Sequence, residues 1–283
     1  MDQNQLAAAL NAAGLGRISA DIEKFQLASV RMVSQAAGSQ PLKAATSRLG
    51  GLPDLPQGIA WPLLNGIPQS FIGQIRLEEI KPYLSNADFP ANGLLYFFYD
   101  ANQETYGEKP ADRGGWQVIY YGGEPGGLTQ RPAPAGLPAE GLFQACSVSY
   151  FSEITFPAKP EIFLTNFDWT EDEQTRYEDF IYNFPGQADR SAAHNRVLGH
   201  PDTIQDDMHE QCALMANGVA SIDDPQAAAF AKTALDWQLL LQVDSDEHAG
   251  MKWASAGILY YWIEREKLAA RHFENTWLVL QSD

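Results

Sequence analysis

The chain is short of cysteine, of positive charge and of long apolar runs, and each shortage removes a class of function. Only Cys146 and Cys212 occur in 283 residues, and neither sits in a Cys-x-x-Cys pair. Two cysteines are too few for a disulfide framework. Lys and Arg number 19 against 36 Asp and Glu, a net charge of −17. Nucleic-acid binding needs a basic face to neutralise phosphate, so this balance argues against it. It suits high solubility or a basic protein partner instead. No apolar run approaches the roughly 20 residues of a membrane helix, and Met1 to Gly14 carries no basic leader region. The expectation is a cytoplasmic protein with reduced thiols and no membrane partner.

Catalytic signatures are also missing. There is no Gly-x-Ser-x-Gly elbow. The glycine pairs Gly50-Gly51 and Gly122-Gly123 lack the spacing and lysine of a phosphate loop. Two charged groups, Asp206-Asp207-His209-Glu210 and Asp244-Asp246-Glu247-His248, fit neither a calcium loop nor a His-Glu-x-x-His helix. They read as exposed charged surface. Cys146, in an apolar-flanked strand, reads as core. No catalytic residue, metal or cofactor is expected.

What the chain does contain is a motif stated twice. Arg48-Leu49-Gly50-Gly51-Leu52-Pro53-Asp54 matches Arg196-Val197-Leu198-Gly199-His200-Pro201-Asp202, with Arg, Gly, Pro and Asp in register. Phe71-Ile72-Gly73-Gln74-Ile75 matches Leu239-Leu240-Leu241-Gln242-Val243. Gly93-Leu94-Leu95-Tyr96-Phe97-Phe98 matches Gly257-Ile258-Leu259-Tyr260-Tyr261-Trp262. The order is the same in both halves.

Around these motifs the pattern gives short elements. An Ala- and Leu-rich helix over 3–13 ends at Gly14, and Ser19 is placed to cap a second. Loose alternation over 25–34 suggests a strand. The almost wholly apolar 93–99 and 257–263 suit central strands covered on both faces. Further strands are expected at 116–121, 148–156 and 276–281. An amphipathic helix with an acidic outer face should follow a cap at Thr170. The elements do not strictly alternate, so the fold class is α+β: a mainly antiparallel sheet built from two duplicated β-rich motifs with peripheral helices. The expected organisation is a single domain over 1–283. It comprises an N-terminal helical arm and strand (1–46), a first repeat (47–124), a connecting segment (125–195) and a second repeat (196–283).

The second half, with Trp237-Gln238-Leu239-Leu240-Leu241-Gln242-Val243-Asp244-Ser245 and Gly257-Ile258-Leu259-Tyr260-Tyr261-Trp262-Ile263, joins Gly50-Gly51-Leu52-Pro53 in resembling the YwqG-like family. This is a bacterial family of unknown function, and the resemblance runs from about 47 to 281. It implies an α+β fold with duplicated motifs and no established activity. It also carries a loose association with toxin–immunity neighbourhoods. Inside the chain, Gly50-Gly51 stands where the second copy has Leu198-Gly199, so the two sites need not be equivalent.

Two functional expectations follow. The first is a non-enzymatic protein-binding module whose acidic surface meets a basic protein, immunity-like in role. The alternative is a small-molecule-binding protein or hydrolase with Arg48, Gln74, Arg196 and Gln242 facing a cleft between the repeats. Arg could present forks to a carboxylate or phosphate there. The same residues could instead stitch a turn to the sheet, Arg paired with Asp54 or Asp202, and the glutamines satisfied internally.

Overall fold

The computed structural model describes residues 3–38, 41–84, 88–163, 168–184 and 192–283. Its strands are β1 (Leu27–Ala36), β2 (Arg48–Leu49), β3 (Leu63–Leu64), β4 (Ile67–Pro68), β5 (Ser70–Arg76) and β6 (Leu94–Tyr99). They continue with β7 (Trp116–Tyr121), β8 (Cys146–Thr155), β9 (Asn195–Val197), β10 (Trp237–Asp244), β11 (Gly257–Glu264) and β12 (Trp277–Ser282). Helices α1 (Gln3–Ala12), α2 (Ser19–Ile22), α3 (Leu77–Ile80), α4 (Glu171–Asn183), α5 (His209–Ala216), α6 (Ala227–Ala231) and α7 (Arg265–Ala269) lie around them. Ser19 opens α2 as its first residue rather than capping it.

Ten strands form one antiparallel sheet in the order β12-β11-β10-β9-β1-β8-β2-β5-β6-β7, and β3 pairs with β4 apart from it. The middle is the long ladder of β1 with β8, from Leu27↔Thr155 to Ala36↔Cys146. The N-terminal strand is therefore central. It pairs with β9 of the far half, while β8 pairs with β2.

The apolar strands explain the burial. In β6 every residue is buried. Leu95, Phe97 and Tyr99 enter the main core, while Leu94, Tyr96 and Phe98 enter a second cluster with Trp61 and Leu128. Two-sided burial is why this strand reads as an unbroken apolar run. A bulge falls between Phe71 and Gly73 on β5, and another between Leu239 and Leu241 on β10. Gly73 leaves room that a Cβ would take from the Arg48 carbonyl.

The sheet curls until its two halves meet. The Phe97 and Tyr261 rings lie edge-on, 5.2 Å apart, and the Tyr261 hydroxyl donates to the Phe98 carbonyl. At the outer strands, Trp116 packs against Trp277 at 4.8 Å and donates to the Thr276 carbonyl. Tyr106 accepts from the Leu280 amide, and Gly107 accepts from the Trp277 indole. The result is a nearly closed, barrel-like sheet. A smaller cluster joins the N-terminal arm to α4 through Leu6, Leu10, Ile22, Tyr177 and Phe180.

Gly107 has φ +76°, and a Cβ there would collide with the Leu278 carbonyl. Gly107→Ala is expected to lose about 2 kcal/mol of stability or more. Urea unfolding should show a lower midpoint at similar slope. An unchanged midpoint would mean that this contact does not hold the outer strands together.

Candidate functional site

β2 and β9 are too short to make much ladder, yet each carries an arginine whose side chain is almost fully buried. A buried guanidinium has five N–H donors to satisfy and cannot shed its charge. The chain meets this demand in the same way twice.

Arg48 pairs across the backbone with Gln74 on β5. Its Nη2 donates to Asp54 Oδ2 at 2.6 Å and to the Lys43 carbonyl at 2.9 Å. Its Nη1 reaches the Leu52 carbonyl. The Gln74 Oε1 accepts the Asp54 amide at 2.9 Å, while its Nε2 donates to Asp54 Oδ2 and to the Thr46 carbonyl. The Tyr96 hydroxyl donates to the Asp54 carbonyl at 2.8 Å.

Arg196 pairs with Gln242 on β10. Its Nη2 donates to Asp202 Oδ2 at 2.6 Å, and its Nη1 donates to the His200 carbonyl at 2.8 Å. Gln242 Oε1 accepts the Asp202 amide, and its Nε2 donates to Asp202 Oδ2 and the His194 carbonyl. The Tyr260 hydroxyl donates to the Asp202 carbonyl. Backbone angles agree as well: φ is +61° at Gly50 and +59° at Leu198, then +70° at Gly51 and +82° at Gly199. Leu198 thus holds a left-handed conformation that costs a β-carbon-bearing residue about 1–2 kcal/mol, and the Gly50/Leu198 difference leaves the loop geometry unchanged.

The two clusters differ in their surroundings. Asp54 Oδ2 also accepts the Ala45 amide, whereas Asp202 Oδ2 lies 3.1 Å from His194 Nδ1. Arg196 Nε lies 3.1 Å from a Glu153 oxygen, an ion-pair distance without hydrogen-bond alignment. The Nε of Arg48 has no acceptor. Burial lowers the Arg48 pKa, and Asp54 partly restores it. Burial alone would push the Asp202 carboxyl up, but Arg196, His194 and Gln242 hold it well below the usual carboxylate range.

The four residues singled out from sequence therefore gather as two pairs, each turned onto its own aspartate. In the sheet, β8 and β1 lie between β2 and β9. The terminal nitrogens of each fork are engaged by its own aspartate and by loop carbonyls. Tyr96, Tyr260 and Glu153 join the clusters without a local signal, because their contacts come from distant strands, and His194 joins from just ahead of β9. Cys146 is buried in the core, which pushes its thiol up to about 11 and makes it a poor nucleophile at neutral pH.

Open hollows lie nearby. One, walled by His194, Asp202, Asp244 and Ile258, flanks the second cluster. Another, walled by Arg31, Val33, Asp246 and His248, lies beside the central ladder. Among the described residues no three His, Cys, Asp or Glu side chains are grouped to hold a metal ion.

Breaking a buried pair strands the remaining charge, at a cost of about 3–5 kcal/mol. Asp54→Asn should cost in that range. Asp202→Asn should cost less, because Arg196 keeps Glu153 close by. Urea unfolding at pH 7 compares them. The depressed Asp202 carboxyl contributes stability that is present above its unfolded value near pH ~4. That contribution is lost as pH falls through the depressed folded value. Asp202→Asn should therefore flatten the loss of stability below pH ~4, and an unflattened profile would assign acid unfolding to other groups.

No curated protein matches the chain. One family model does, over residues 47–282, which takes in both arginine clusters and every strand but β1. Its description is a domain of unknown function. With most of its length matched, the chain belongs to the DUF1963 family, a domain of unknown function.

Proposed function

We propose that the protein is a non-enzymatic binding module that meets a basic protein partner through its acidic surface. The observation that carries this reading is the outer face of α4. Glu171, Asp172, Glu178 and Asp179 are all exposed on it, beside Tyr182 at 54% exposure. Among the described residues, Arg176 pairs with Asp172. The helix is rigidly mounted. Thr170 and Glu173 form a capping box, Arg17 grips Glu173, and the Tyr177 hydroxyl donates to the Pro157 carbonyl. Arg17 holds the Glu173 carboxyl down to about 2, so it stays ionised at any physiological pH. An acidic face on a protein of net charge −17 attracts basic partners and speeds encounter.

The two arginine clusters are read as copies of one ancestral unit, supported by their matching donors, acceptors, backbone angles and bulges. The YwqG-like resemblance is kept as the finer family reading, supported by a family match of nearly the same extent. A cytoplasmic setting is supported by two free, buried thiols, and no described helix is long and apolar enough to cross a membrane. The small-molecule or hydrolase alternative draws nothing from Arg48, Gln74, Arg196 and Gln242, which are occupied internally.

The test is capture from a lysate of the source organism on immobilised protein. A basic protein should be retained at low salt and released as salt rises. Replacing Glu171, Asp172, Glu178 and Asp179 with Lys should slow its association about tenfold or more. Absence of any salt-sensitive protein partner would reject the reading, and an unaltered rate would move it off α4.

A further inference from the structure

Two histidines are buried with rings that bond to neither arginine, although the His200 carbonyl accepts from Arg196. His200 is 4% exposed, and its Nε2 lies 2.6 Å from the Phe25 carbonyl. A carbonyl only accepts, so Nε2 carries the proton and Nδ1 is left as a bare acceptor. His209 is 6% exposed, and its Nδ1 faces both Asp207 oxygens at 2.8 and 3.0 Å. A carboxylate fixes the proton on Nδ1 in the same way, leaving Nε2 as the bare acceptor. Neither bare nitrogen has a partner among the described residues. Burial pushes His200 down to about 4, so it remains neutral and keeps its lone pair at neutral pH.

Both imidazoles wall one pocket, together with Thr203, Asp207, Phe163 and Lys159. The Phe163 ring stands nearly perpendicular to both, at 5.4 Å from His200 and 5.5 Å from His209. Lys159 is engaged by Asp206 at 2.6 Å, so its charge is balanced locally. What remains is the negative charge of Asp207, whose oxygens already accept the His209 amide and ring Nδ1–H, and two ring lone pairs with no donor among the described residues. The open space is about 280 Å³ with the adjoining solvent included, and its enclosed part has room for about one water-sized group.

We propose that this pocket binds a primary ammonium group. An –NH3+ is water-sized, carries three donors and brings the positive charge that Asp207 leaves uncompensated. Its source is either a small amine or a lysine side chain of a polypeptide. The site uses none of the exposed acidic residues of α4, so it can hold even if the acidic-face reading fails.

The probe is methylammonium chloride, followed through the ring-nitrogen NMR signals of His200 and His209 near pH 7.5. Both bare nitrogens should shift with saturation in the range of tens of millimolar, as expected for two heavy atoms. Tetramethylammonium has the charge without the N–H donors and should leave both signals in place. Equal shifts with both cations, or none with either, would overturn the proposal and assign the pocket to water. His209→Gln should weaken methylammonium at least fivefold, and unchanged affinity would also overturn it. If that variant fails to fold, the two-cation comparison on the native protein decides. An acetylated lysine amide that shifts the same signals assigns the source to a polypeptide. Shifts from methylammonium alone assign it to a small amine.

Discussion

A guanidinium buried in a sheet must find its acceptors on the spot, and that requirement governs the architecture. β2 and β9 are the joints between the central ladder and each half of the sheet, yet they have only two and three residues. Backbone pairing over so short a length gives little cohesion. The side chains supply the rest. Arginine gathers the loop carbonyls, aspartate anchors the fork, and glutamine ties the aspartate amide to the neighbouring strand. The terminal nitrogens of both guanidinium groups are satisfied, the Nε of each is not, and the bonds that are made hold the network rigid in low dielectric. The same bonds occupy the terminal nitrogens of both arginines from within the chain.

The second constraint is the crossed arrangement of β1 and β8. Each strand lies beside the short strand of the opposite half. The halves are therefore interlocked through the sheet as well as packed through Phe97 and Tyr261. Contacts between residues more than a hundred positions apart must form before either half is complete. Folding that waits on such long-range pairing is slow by nature.

Much of this is legible in the sequence, and the physical reasons are plain. Strand β7 falls where the Trp116–Tyr121 run places it, and β6 and β11 stand out because two-sided burial leaves no polar alternation. The Arg–Asp pairing follows from a six-residue spacing across a turn rich in Gly and Pro. β2 and β9 are not legible, since two or three residues between turn formers show no period. The central place of β1 is hidden too, because its partners lie more than a hundred residues away. His209 reads as surface from its neighbours Asp206, Asp207 and Glu210. It is buried by Phe163 and Trp262, which no local window contains.

The position of β1 bears on how the protein can be divided. The stretch shared with the family begins at residue 47, eleven positions beyond Ala36, the last residue of β1. A fragment trimmed to the shared stretch would lose the rung between β8 and β9 and turn both into raw edges. Bare edges in the middle of a curled sheet invite strands from other molecules. The leading segment is thus a keystone, and the smallest soluble piece must begin ahead of Leu27.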